Sequence, residues 1–160
     1  MINISIIALG KLKEAYLRDA MAEYSKRLSA DCRFNVIELN PKKISDNPSQ
    51  TEIESALREE AKLIKSKIPS NSAVFAMCIE GKQLSSEKLC EKLQKTAVSG
   101  KNNAVFIIGS SYGLADEIKA LADFKLSMSE MTFPHQLARV MLAEQIYRCV
   151  QIEKGTNYHK

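Results

Sequence analysis

A chain of 160 residues with 45% apolar and 26% charged residues has the size and balance of one globular domain, which excludes a disordered or fibrous protein. Its net charge of +4 suits a polyanionic partner without demanding one. No apolar run is long enough to cross a membrane.

Ile2 to Leu9 is a near-continuous apolar strand ending at Gly10; its opening is unlike a signal sequence, so a cytoplasmic protein is expected. From about Glu14 to Leu28, Leu17, Met21, Tyr24 and Leu28 fall on one face of a helix. Lys11, Lys13, Arg18, Lys26 and Arg27 crowd this region, as a solvated helix side or as a phosphate-facing surface. Phe34 to Leu39 reads as a strand and Pro41 to Gln50 as a loop. Thr51 and Glu54 form a capping-box signature for a helix carrying Ile53, Leu57, Ala61, Ile64 and Ile68 up to Pro69.

Ala73 to Ile79 is a third strand, delivering Glu80, Gly81 and Lys82 at its carboxyl end. Ser85 and Ser86 are placed to cap a helix with Leu89, Leu93 and Ala97, which stops at Gly100. Ala104 to Ile108 is a buried strand that breaks into the loop Gly109, Ser110, Ser111, Tyr112, Gly113. A short helix, Ala115 to Ala122, precedes the apolar segment Phe124 to Met128 and the polar turn Ser129 to Thr132. Pro134 then starts the last helix, which runs to about Lys154 and stops at Gly155.

Strands alternating with helices predict one α/β domain over 1–160, with a mostly parallel sheet of about five strands flanked by helices. In such a sheet the loops beyond the carboxyl ends of the strands form the ligand crevice, which directs attention to 109–113 and 128–134. The last helix is apolar nearly all round, with Leu137, Val140, Met141, Leu142, Ile146, Tyr147, Cys149, Val150 and Ile152. A helix of that kind is buried on two sides, and a homodimer is expected to supply the second.

Cys32, Cys78, Cys90 and Cys149 stand apart without a CxxC pair, so buried thiols are expected and a disulfide framework or zinc site is not. With His135 and His159 the only histidines, no protein-bound catalytic metal is expected. The GSSYG loop departs from GxGxxG, which disfavours a dinucleotide site, and Tyr112 is either a stacking partner or a loop anchor. His135 sits at a helix start, where the dipole disfavours an imidazolium, and reads as structural as readily as catalytic. Arg148 lies four residues after Glu144, the spacing of a helical ion pair. The tail Asn157, Tyr158, His159, Lys160 would ordinarily be frayed.

In combination these segments are more specific. IIALGKLKEAY at Ile6 to Tyr16, EYSKRL at Glu23 to Leu28, Gly81-Lys82, IIG at Ile107 to Gly109, LSMSEMTFPHQ at Leu126 to Gln136 and the final Tyr158-His159-Lys160 together resemble the RlmH family of SPOUT-class methyltransferases. The resemblance covers nearly the whole chain. It implies a C-terminal deep trefoil knot and an enzyme that methylates N3 of a pseudouridine in 23S ribosomal RNA, with S-adenosyl-L-methionine as cofactor. Met77, Gly109, Met128, Ser129, Glu130, Met131, Thr132 and Phe133 carry over as cofactor-binding residues. The resemblance further assigns Arg148 and the tail to the RNA-facing side of a site built by both subunits of a dimer; there Arg148 and His159 are expected to be catalytic, His159 orienting the base or accepting the proton, and Tyr158, Lys160, Lys11 and Lys13 to bind RNA.

Ser110 stands where that family usually has a second glycine, and its hydroxymethyl group is expected to narrow the cofactor pocket. The alternatives to the enzyme are a ribosome- or RNA-binding relative without catalysis, for which Ser110 is the argument, and a SPOUT methyltransferase acting on another RNA.

Overall fold

The side chains of two central strands, β1 (Asn3–Leu9) and β4 (Asn103–Ile108), alternate between two separate cores. Ile4, Ile6, Ala8, Ala104 and Phe106 point into one, and Ile7, Leu9, Val105 and Ile107 into the other. Because both faces are covered, these strands read as continuous apolar runs rather than alternating ones. The computed structural model describes residues 2–160.

Around this pair stand β2 (Arg33–Leu39), β3 (Ser72–Gln83) and β5 (Phe124–Ser127), giving a five-stranded, all-parallel sheet of order β2-β1-β4-β3-β5. The first core is closed by α1 (Ala15–Ser29), α3 (Ser86–Val98) and α5 (His135–Glu153), the second by α2 (Gln50–Lys67) and α4 (Asp116–Leu121). Phe75 and Phe106 stack at 4.7 Å in the first core, and Phe124 meets Phe75 edge-on at 6.2 Å.

Three boundaries differ from the sequence reading. The cap of α2 is Ser49, whose Oγ accepts from the Glu52 amide at 3.2 Å, so Thr51 lies inside the helix. Glu52 satisfies the capping spacing from Ser49 as Glu54 does from Thr51, and its carboxylate accepts from Ser45 Oγ at 2.9 Å, which fixes the earlier start. Secondly, β3 does not end at Ile79. It shifts register after Met77 and resumes pairing with β5 at Lys82, so Glu80, Gly81 and Lys82 lie within the strand's irregular stretch. Gly81 permits this, since a Cβ there would fall 2.8 Å from the Lys125 and Leu126 backbone. Thirdly, the tail is docked rather than frayed.

The last helix is covered more completely by its own chain than its composition suggests. It packs between α1 and α3 over the sheet, with Leu142, Ala143, Ile146 and Cys149 buried. The outward strip that remains holds Leu137, 38% exposed, and the half-buried Met141.

Candidate active site

The sheet's carboxyl edge opens into a crevice of about 780 Å³, walled by the ends of β3, β4 and β5 and the loops that follow them. Two glycines shape the β4 loop for different reasons. Gly113 has φ +83°, a left-handed conformation that side chains resist, while Gly109 has no room for one. A Cβ on Gly109 would lie 2.2 Å from the Gly113 carbonyl oxygen, because the loop folds back and Gly113 N donates to Ser110 O at 2.8 Å. The β5 loop is held by its own serines: Ser127 Oγ donates to Ser129 O at 3.0 Å, and Ser129 Oγ accepts from Met131 N at 3.0 Å.

Ser110 is itself part of the crevice wall, and its hydroxyl donates at 2.9 Å to Oε1 of Glu60, a residue of α2 outside that wall.

The start of α5 is tied to the basic loop after β1. Arg139, 1% exposed, donates to Gly10 O at 2.8 Å and pairs with Glu38 at the end of β2. Gln136 Oε1 accepts from the Lys13 amide at 2.9 Å, and Arg18 donates to the carbonyls of Leu12 and Lys13. Lys11 and Lys13 thus extend from a braced loop beside the crevice. His135, which lines the crevice, is held below the usual imidazole range by burial and by the charges of Arg139 and Lys13.

A second polar cluster forms where the tail returns to α3 and α5. Arg148 donates to Glu144 through Nε at 3.1 Å and Nη2 at 2.6 Å, and its guanidinium stacks over Tyr158 at 4.8 Å. Tyr158 meets Tyr147 edge-on at 4.9 Å and donates its hydroxyl to Glu144 at 3.2 Å. His159 touches Arg148 Nη1 through Nδ1 at 3.3 Å and Glu87 through Nε2 at 2.8 Å. Between this cluster and the crevice is a cavity of about 610 Å³, which includes Glu87 and Glu144 in its wall and shares Met77, Leu126, Ser127 and Met128 with the crevice.

Residues 2–159 match the family model described as "Predicted SPOUT methyltransferase". The chain belongs to the SPOUT methyltransferase family. It is 49% identical over 158 residues to ribosomal RNA large subunit methyltransferase H 1 of Clostridium perfringens, covering 99% of each chain. It is 48% identical, with the same coverage, to ribosomal RNA large subunit methyltransferase H of Clostridioides difficile. A solved structure described as a "probable methylase family protein" of Haemophilus influenzae superposes with a TM-score of 0.55 at 13% identity, covering 99% of this chain and 71% of that one. That likeness concerns the fold.

Against this SPOUT framework, seven of the eight residues named for the cofactor line the crevice: Met77, Gly109, Met128, Ser129, Met131, Thr132 and Phe133. Glu130 does not line it. Arg148, Tyr158 and His159 come together, but in the tail cluster rather than in the crevice wall of the same chain. Lys160 is exposed at the chain's end. Sequence reasoning missed Glu60, Glu87 and Arg139, whose contacts with Ser110, His159 and Glu38 span 50 or more positions and leave no local pattern.

Proposed function

We propose that this protein transfers a methyl group from S-adenosylmethionine to N3 of a pseudouridine in 23S ribosomal RNA, acting as a cytoplasmic homodimer on the assembled ribosome. The observation that carries the reading is the crevice at the carboxyl ends of β3, β4 and β5, in a chain with full-length similarity to proteins named ribosomal RNA large subunit methyltransferase H.

The cofactor fits what the crevice offers. Its volume is within the range of small-molecule sites, its walls include the apolar side chains of Met77, Leu114 and Leu126, and the two loops supply main-chain donors and acceptors. Met77, Gly109 and the run Met128, Ser129, Glu130, Met131, Thr132 and Phe133 would hold it, with Glu130 included by its place in the loop. When bound, S-adenosylmethionine supplies an electrophilic methyl group on a sulfonium sulfur. The family's deep trefoil knot belongs to this reading and would account for chain segments as close as Gly81 and the β5 backbone.

On the acceptor side, N3 of a uracil-type ring is an imide nitrogen that must lose its proton to become nucleophilic. Arg148 stabilises the negative charge that develops on the ring carbonyl, and His159 orients the base and accepts the proton. Tyr158 stacks on the target base, while Lys160, Lys11 and Lys13 hold phosphates. Within one chain the acceptor residues and the crevice wall do not overlap, so the tail of one subunit serves the crevice of its partner.

Titration calorimetry with S-adenosylmethionine, alongside the molar mass in solution, tests this directly. Binding in the micromolar range to a dimer supports the reading; a monomer without detectable binding overturns it.

A further inference from the structure

The partners of His159 in the tail cluster assign its tautomer by their chemistry. An arginine guanidinium has donors and no acceptor, so the Arg148 Nη1 contact at 3.3 Å requires His159 Nδ1 to present its lone pair. The ring proton of neutral His159 then resides on Nε2, which donates to Glu87 Oε1 at 2.8 Å. Glu87 projects from the first turn of α3. It is 72 residues from His159 in sequence and belongs to none of the groups assigned to cofactor or RNA.

We propose that Glu87 is a positioning residue that keeps His159 in the Nε2–H tautomer when Arg148 turns away to the substrate, and so presents Nδ1 as the atom that takes the proton of the acceptor nitrogen. This rests on the role given to His159 above. When Arg148 turns to the ring carbonyl of the target base, its departure uncovers the Nδ1 lone pair. The N3–H bond breaks as the Nδ1–H bond forms, and the electron pair left on N3 would form the N–CH3 bond as the sulfonium's S–CH3 bond breaks, its electron pair staying on sulfur and S-adenosylhomocysteine leaving. The imidazolium so formed carries its second proton on Nε2, still facing the Glu87 carboxylate, which stabilises the new charge. The other charged or titratable groups around the ring are Arg148 from α5, with Glu144 behind it, and Tyr158 in the tail. Arg148 opposes the imidazolium, so Glu87 is the group that offsets it.

The test compares wild type with Glu87→Ala, Glu87→Asp, His159→Ala, Arg148→Ala and the Arg148→Ala/Glu87→Ala double variant. Nitrogen-15 NMR of the imidazole rings reads the tautomer, and methylation of unmethylated ribosomes is followed against pH at saturating cofactor. Wild type should show a single Nε2–H form of His159. Arg148→Ala should keep that form, and the Arg148→Ala/Glu87→Ala double variant should give a mixed tautomer. Glu87→Ala alone should lower kcat by about tenfold, part of what a general base contributes, at unchanged cofactor affinity. Glu87→Asp should restore part of the kcat loss. A double variant that keeps the single Nε2–H form, or a Glu87→Ala protein with wild-type kcat, overturns the role of Glu87. Full kcat in His159→Ala, with the tautomer still dependent on Glu87, instead removes His159 as the base, and the catalytic part of the proposal with it.

Discussion

Ser110 and Glu60 join the crevice loop to the opposite layer of the fold: the serine hydroxyl donates at 2.9 Å to a carboxylate whose residue is only 4% exposed. The other carboxylate oxygen accepts from the Lys42 amide at 3.0 Å. A buried charge is tolerated because both oxygens have donors, and the loop is held because one donor is its own.

Ser110→Ala therefore leaves Glu60 Oε1 unpaired and should cost about 1–3 kcal/mol of stability, read from denaturant unfolding. It should also weaken S-adenosylmethionine binding, because the loop loses its anchor. A variant that binds more tightly would mean that the serine obstructs the crevice after all.

Gly109→Ala tests the tightness of the same loop. With the new methyl group 2.2 Å from the Gly113 carbonyl oxygen, the loop must open, and destabilisation above about 3 kcal/mol or loss of soluble protein is expected. Unchanged stability would contradict the described loop.

The pH dependence of stability has a definite sign at His135. Its folded value lies below the unfolded one, chiefly through burial and then through Arg139 and Lys13, so the unfolded chain binds the proton first. Above the unfolded value, near 6.5, the group contributes nothing; stability is lost as pH falls below it. His135→Asn should flatten the stability curve across that window, measured as unfolding midpoint against pH.

Arg139 is buried whereas its partner Glu38 is 40% exposed, so solvent screens what Glu38 loses; Arg139→Ala also releases the Gly10 carbonyl and should cost about 1–3 kcal/mol. Hydrogen exchange should then increase at Gly10 to Glu14, the loop carrying Lys11 and Lys13.

Much of this fold was legible because its strands are buried on both faces and its helices are punctuated by Ser, Pro and Gly. The crevice was legible for the same reason, since Gly109 and the Ser129–Thr132 turn mark strand ends. What could not be read depends on contacts distant in sequence. Thr51 competes with Ser49 for the cap on equal local grounds, and only Ser45 meeting Glu52 decides it. The extension of β3 depends on β5 admitting Gly81, and the docked tail on Tyr147, Glu144 and Glu87. The extent to which its own chain covers α5 depends on α1 and α3 lying on the same face.

The thiols offer a separate check on the crevice. Burial pushes Cys32 up to about 11 and Cys149 up to about 12, and Cys90 is also raised by burial, so these should resist alkylation at neutral pH. Half-buried Cys78 lines the crevice and should react first, and more slowly once S-adenosylmethionine is present. Equal rates with and without cofactor would remove the cofactor from this crevice.

The central claim is methyl transfer, and incubation of radiolabelled S-adenosylmethionine with ribosomes lacking the modification measures it most directly. Wild type should place about one methyl group per ribosome on N3 of a 23S pseudouridine, and Arg148→Ala should lower the rate by about a hundredfold or more while retaining cofactor binding. No incorporation by wild type, or equal rates in the two proteins, would contradict the account.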